Sequence, residues 1–163
     1  MSKATGVLLV RNDGALLLQL RDNKKNIKHP NMWGSPGGHL NKNETYAQCA
    51  TRELFEETGV LLAVTSNNQW ISDNINPYPL LEKTRVNLRT GNLPWSKVLS
   101  NANITLATDE LHYLGHWETP VTLNARFSTR FFLAELPTGQ NAQHDGEELV
   151  ASKWLKPSEA LTL

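Results

Sequence analysis

The chain holds a single cysteine, Cys49, in 163 residues, so no internal disulfide framework is possible. It also lacks an excess of either charge: sixteen Lys and Arg balance sixteen Asp and Glu. Without a net positive field, a broad surface for long nucleic acid is not expected, and the partner should be small. Long apolar runs are missing too. The first spans residues 7–10, too short for the apolar core of a secretory signal, and no later run approaches the ~20 residues of a membrane span. A cytoplasmic protein with no membrane partner is the expectation. What is present, 39% hydrophobic and 20% charged residues, suits a globular protein, and the length suits one domain over residues 1–163 with one core.

Local patterns place the elements. Residues 5–10 and 15–20 predict two strands joined by Asn12-Asp13-Gly14, a hairpin signal. Residues 44–58 predict a helix, and residues 60–64, 111–117, 126–136 and 150–155 predict strands. Residues 94–100 predict a short helix with Pro94 at an early position, and residues 157–161 the start of another. Residues 67–90 hold Asn67-Asn68 and Asn76-Pro77 with few apolar runs. They predict an irregular loop with at most a short strand, the segment in which specificity would reside. Strands mixed with a few helices give an α/β class.

The helix over 44–58 carries the chemistry. Ala47, Ala50 and Leu54 recur at three- and four-residue spacing and share an apolar face. Glu53, Glu56 and Glu57 are related as i, i+3 and i+4, within an arc of roughly 100°. Like charges so placed repel and destabilise a helix, and a solvated helix gains nothing from them. A hard cation removes the repulsion. Mg²⁺ takes oxygen ligands and keeps several waters, so a few carboxylates with substrate phosphates suffice. Arg52 can pair with Glu56 four residues on, and Gly59 can end the helix in the left-handed region. Before the helix, Pro36-Gly37-Gly38 predicts a tight loop that brings backbone close to the site, where the Gly37 carbonyl is a candidate further metal ligand.

Residues 38–60 match G-x5-E-x7-R-E-U-x-E-E-x-G-U, with U aliphatic, through Gly38, Glu44, Arg52-Glu53-Leu54, Glu56-Glu57 and Gly59-Val60. The segment resembles the Nudix box. The resemblance implies a Nudix hydrolase fold, a mixed β-sheet sandwiched between α-helices. It implies metal-dependent cleavage of a nucleoside diphosphate linked to another moiety, with Mg²⁺ or Mn²⁺. It makes Glu53, Glu56 and Glu57 the metal-ligand and catalytic candidates, and Glu44 a partner for the loop or Arg52. Two positions outside the defined pattern, Asn41 and Asn43, stand where many relatives have Glu and Gly. A homodimer is possible, as dimers occur among relatives. A catalytically silent nucleotide-binding or regulatory module on the same fold is the alternative.

The resemblance implies a general base in the box or in a later loop, where Glu147 and Glu148 follow His144-Asp145-Gly146, and Glu148 is preferred. Arg21, Arg126 and Arg130 are candidates for phosphate contact, since the guanidinium suits bidentate binding. His29 and His39 flank the glycine loop. Trp70, Tyr78 and Trp95 are candidates for base stacking, while Trp33 is expected in the core, and Cys49 as a small residue packed beneath the carboxylates. A second stretch, Trp117-Glu118-Thr119-Pro120 and then Arg126-Phe127-Ser128-Thr129-Arg130-Phe131-Phe132, resembles W-x-T-P…R-F-D-T-x-F-F. That pattern marks the Nudix branch associated with coenzyme A and acyl-coenzyme A diphosphatases. Ser128 stands where the branch has Asp, and the branch's Arg-rich segment leading to Phe-Pro-Gly-Gly is absent. Coenzyme A-type compounds, nucleoside-diphosphate sugars, dinucleotides and damaged nucleoside triphosphates therefore all stay open as substrates.

Overall fold

The first strand, β1 (Ser2–Val10), sits in the middle of a six-stranded sheet because its partner comes from far along the chain. It pairs in parallel with β7 (Phe127–Glu135), from Ser2 opposite Phe127 to Val10 opposite Glu135. The structure, a computed structural model, describes residues 1–24, 29–72, 74, 78–147 and 149–163, with residues 78–82 described by backbone alone. The hairpin expected at Asn12-Asp13-Gly14 is present. The Asp13 carboxylate accepts the Ala15 N–H, Gly14 takes φ +80°, and the chain returns as β2 (Leu16–Arg21). β2 pairs with the short β3 (Trp33–Gly34) and with β8 (Leu149–Leu155), while β6 (His112–Glu118) closes the other edge on β7. The sheet is mixed, in the order β3-β2-β1-β7-β6 with β8 also on β2.

The expected box helix is α1 (Tyr46–Thr58). Thr45 Oγ1 accepts the Gln48 N–H and Gln48 Oε1 accepts the Thr45 N–H, so two of the first turn's orphan donors are satisfied reciprocally. Gly59, at φ +72°, ends the helix by donating its N–H to the Phe55 carbonyl. Ala50 and Leu54 pack with Val7, Leu9 and Leu17 in one core cluster. Phe55, on the next face, joins Leu61, Ile71, Val98 and Ile104 in a second.

Three expectations change. Residues 60–64 were expected as one strand, yet only β4 (Ala63–Thr65) pairs, with β5 (Ile104–Leu106) in a two-stranded sheet. Val60, Leu61 and Leu62 are buried outside any ladder, and the Gln140 side chain satisfies both the Leu61 N–H and its carbonyl. The segment expected as an irregular loop contains α2 (Tyr78–Arg89). Its buried positions include Arg85 as well as Leu88, so a search for apolar periodicity misses it. Third, no strand is expected at residues 33–34 or 104–106, yet β3 and β5 form there, each too short to leave a period-2 pattern. The helix expected after Pro94 is present as α3 (Trp95–Ala102), and α4 (Pro157–Ala160) lies against β8. Among the described residues, no helix is long and apolar enough to cross a membrane.

Candidate active site

The glycine loop lies along the first half of β1, on the edge away from β7. Thr5 donates its N–H to the Gly38 carbonyl at 2.8 Å, Val7 to the Pro36 carbonyl at 2.8 Å, and Leu40 to the Lys3 carbonyl at 3.1 Å. A Cβ on Gly37 would collide with the Thr5 carbonyl oxygen, and a Cβ on Gly38 would occupy the place of the Glu53 carboxylate. The two glycines therefore let the loop press against β1 on one side and the acids of α1 on the other. Gly37 donates its N–H to Glu57 Oε2 at 2.9 Å.

Beneath the acids, the buried guanidinium of Arg52 organises the cluster. Nε and Nη2 reach the two carboxylate oxygens of Glu44 at 2.7 and 3.0 Å, Nη1 reaches Glu53 at 2.9 Å and Glu56 at 3.2 Å, and Nη2 also donates to the His39 carbonyl at 3.0 Å. Burial would raise Glu44, but Arg52 and the Asn41 N–H outweigh it and hold the carboxyl below its ordinary value. At Glu53 the balance is opposite: burial pushes it up to about 7, with Arg52 only partly compensating. Burial likewise raises Glu56. Cys49 packs between Thr5 and Arg52, fully buried, and burial pushes its thiol up to about 12, so it is a packing residue as expected.

Acids at the C-terminal end of a helix meet the negative pole of the peptide dipoles. The last turn of α1 contains no basic residue. Arg85 of α2 supplies the charge from outside. Its Nε donates to the Glu56 carbonyl and its Nη2 to the Glu57 and Gln143 carbonyls, each at 2.9 Å. Gln19 of β2, also buried, donates to the Glu57 carbonyl at 3.2 Å. Neither residue carries a sequence signal, since each is an isolated polar side chain whose role depends on a helix end distant in the chain.

Glu53 and Glu57 open into a cavity of about 810 Å³, and Gly37, Arg21, His29 and His39 line it as well. Trp33, expected in the core, is a wall of this cavity, with the Lys153 ammonium 4.8 Å from its ring centroid. Glu56 does not line the cavity; it is turned to Arg52. Arg126 and Arg130 do not line it either. Thr129 and Phe131 face the cavity, so alternation along β7 turns Arg130 to the α1 face, where its guanidinium lies 4.2 Å from the Tyr46 ring centroid. Arg126 donates to the Thr119 carbonyl at 3.3 Å and fastens the connection between β6 and β7. Ser128 shares the α1 face and meets His116 Nε2 at 2.7 Å, so the Asp-to-Ser departure bears on strand packing rather than on the cavity.

Of the later acidic pair, Glu148 lies outside the described residues. Glu147 is 74% exposed at its side chain, tied to Arg89 at 3.3 Å, and its carbonyl accepts from Lys24. Asp145, nearly buried, accepts the N–H groups of Glu147 and Leu149 and pairs with Arg89, which fixes this loop to α2. Among the stacking candidates, Trp95 is packed on Phe55 in the second core cluster and Trp70 is exposed beyond β4. Pro77 and the Tyr78 side chain lie outside the described residues.

The donor set fits a hard divalent cation. Two cavity-facing carboxylates, a third close behind on the same helix end and a glycine loop with no side chain in the way are oxygen donors around a void. Among the described residues, no group of three His, Cys, Asp or Glu side chains is arranged to hold a metal ion by itself. A hard cation such as Mg²⁺ can be held by one or two carboxylates, with water and substrate phosphates completing its shell.

Comparison with known proteins bears on this geometry. The family model for the NUDIX domain matches residues 2–86, more than half of the chain. Acyl-coenzyme A diphosphatase NUDT19 of Homo sapiens is 30% identical over 130 residues, covering 76% of this chain and 35% of that protein. Acyl-coenzyme A diphosphatase NUDT19 of Xenopus laevis is 29% identical over 123 residues, covering 69% and 32%. The chain thus spans about a third of the length of these curated relatives. A solved NUDIX hydrolase from Alicyclobacillus acidocaldarius superposes with a TM-score of 0.81 at 24% identity, covering 99% of this chain and 82% of that one, a likeness of fold. With the box folded as a glycine loop, a carboxylate-bearing helix and the arginine that binds them together, and with the family match running from β1 into α2, the chain belongs to the Nudix hydrolase family.

Proposed function

We propose that the chain is a metal-dependent pyrophosphohydrolase that cleaves a nucleoside diphosphate linked to another moiety, with coenzyme A-type compounds first among the substrates and nucleoside-diphosphate sugars second. The observation that carries the reading is the opening of Glu53 and Glu57 into one cavity with Arg21, beside a glycine loop that leaves room for phosphate. The names of the curated relatives and the Trp117-to-Phe132 pattern support the coenzyme A ordering.

Glu53 and Glu57 would hold Mg²⁺ or Mn²⁺ in this reading, with the Gly37 carbonyl contributing; Glu56 would have to leave Arg52 to join them. The cation neutralises phosphoryl charge and lowers the pKa of water at the site. The chain's own residues do the rest. Arg52 fixes the carboxylates in relation to one another, which removes reorganisation from the reaction. Arg21 meets the substrate's phosphate charge from the β2 side of the cavity. The proton of the attacking water passes to a cavity-facing carboxylate, Glu53 or Glu57.

The test is product release with Mg²⁺ across coenzyme A, an acyl-coenzyme A, ADP-ribose, NADH, a diadenosine polyphosphate and an oxidised deoxynucleoside triphosphate. A preferred substrate whose turnover disappears in Glu57→Gln supports the reading. Equal turnover in wild type and Glu57→Gln contradicts the ligand assignment. Bound nucleotide with no turnover of any compound contradicts hydrolysis.

A further inference from the structure

The cavity-facing side of the sheet continues past β7 onto β6, and there it presents rings. Phe131 lies across Gly6 of the neighbouring strand; a Cβ on Gly6 would sit 2.5 Å from the ring. Trp117 lies across Gly115 of its own strand, where a Cβ would come within 2.6 Å of the indole. The two rings meet edge to face at 5.3 Å between centroids. Phe131 lines the cavity, and Trp117, 58% exposed, extends that wall outward.

Trp117 faces this way because of a bulge. Tyr113 pairs with Phe132 on the α1 face, but Gly115 pairs with Phe131, so Leu114 is an extra residue in β6. One inserted residue exchanges the faces of everything after it. Without it, continuous pairing would set Trp117 opposite Ser128, on the α1 side. With it, Trp117 pairs with Thr129, which lines the cavity. The glycine loop, β1, β7 and β6 lie side by side, so three strand spacings, about 14 Å, separate the loop from Trp117. Phe131, one strand nearer the loop, carries the aromatic wall from Trp117 back to the cavity lining.

We infer that Trp117, backed by Phe131, is the surface on which the substrate's nucleobase stacks. This assignment rests on the proposed hydrolase reading, because it takes the diphosphate to sit at the carboxylates. A rigid, flat, exposed indole whose pose is fixed by a glycine under it suits a planar ring and is tolerant of which base it meets.

Nucleoside 5′-monophosphates contain no phosphoric anhydride, so their binding can be measured by calorimetry with Mg²⁺ without turnover. The expected result is that AMP, GMP, CMP and UMP each bind the wild type about tenfold or more tightly than ribose 5-phosphate. Trp117→Ala should abolish that gap, Trp117→Phe should keep most of it, and both variants should melt with the wild type because the side chain is exposed. The absence of a gap in the wild type, or an undiminished gap in Trp117→Ala, overturns the inference. So does a loss in Trp117→Ala that falls on 4′-phosphopantetheine instead of the nucleotides. The two readings fail separately. Wild-type turnover with an undiminished gap over ribose 5-phosphate in Trp117→Ala sinks the stacking surface alone. A Trp117-dependent gap with no turnover of any anhydride sinks hydrolysis alone.

Discussion

Arg52 is one side chain with several carboxylate partners, and its planar fork is what allows Glu44 to be gripped through both oxygens while Glu53 and Glu56 are reached from the other side. A lysine keeps the charge and loses the fork. Arg52→Lys should lower stability by about 3 kcal/mol, since breaking a buried charge network leaves the remaining acids uncompensated. Urea titration reads this as a lower midpoint with an unchanged slope, and a loss under ~1 kcal/mol would count against the clamp. Glu53 supplies a pH signature. In the metal-free protein its folded value of about 7 exceeds the ordinary 4.5. The folded state therefore holds this proton more tightly than the unfolded state. Stability should fall as pH rises from about 4.5 to about 7 and level off above, by on the order of 3 kcal/mol. Melting curves in chelator should show that slope, Glu53→Gln should flatten it, and Mg²⁺ added above pH 7 should recover stability in the wild type alone. At this scale the sequence was informative where a side chain acts through near neighbours on α1. It was silent on Arg85 and Gln19, because their partners are peptide carbonyls rather than side chains.

At the scale of elements, α1 is specified at both ends by its own residues. The end at Gly59 was read from the sequence, while the Thr45–Gln48 cap was not, and the start was placed at Glu44. Gly59 adopts a backbone conformation that costs an L-residue roughly 1–2 kcal/mol, so Gly59→Ala should destabilise by about that amount in thermal melts. α2 is the opposite case. Its inward face includes an arginine, so it left no apolar stripe, yet that arginine holds the carbonyls of Glu56 and Glu57. Arg85→Met preserves much of the volume while taking this donor from the Glu56 and Gln143 carbonyls and leaving the Glu57 carbonyl to Gln19, at about 1–3 kcal/mol. It should also lower kcat, because the turn that carries the acids loses its anchor. A stability loss with kcat intact would separate the two roles. Parity along β7 explains the misplaced arginine. Arg130 sits one residue from cavity-lining positions on either side, and a strand allows only alternate residues onto one face. Motif resemblance identifies the strand without saying which face is which.

For the whole molecule, the α/β class was legible from mixed patterns, but the sheet order was not. Which strand lies beside β1 is decided by a pairing across most of the chain, and nothing local in residues 2–10 names residues 127–135 as their neighbours. The family resemblance implied a sheet between helices. The short strands, the unpaired buried stretch at 60–62 and the bulge at Leu114 are details that long-range packing imposes.

The parallel pairing of β1 with β7 also has a consequence for how the protein is made. β1 leaves the ribosome well ahead of its partner, with an edge that cannot be satisfied until residues 127–135 follow, on the order of ten seconds later at ordinary elongation rates. Through that interval the nascent chain exposes apolar Val7, Leu8 and Leu9 on an open strand, the form most prone to pair with another chain. The segment matched by the family model, residues 2–86, is therefore not a unit of folding. Synthesised alone, it should be captured by chaperones or precipitate, whereas a chain in which residues 127–135 are free to pair with β1 should resist proteolysis.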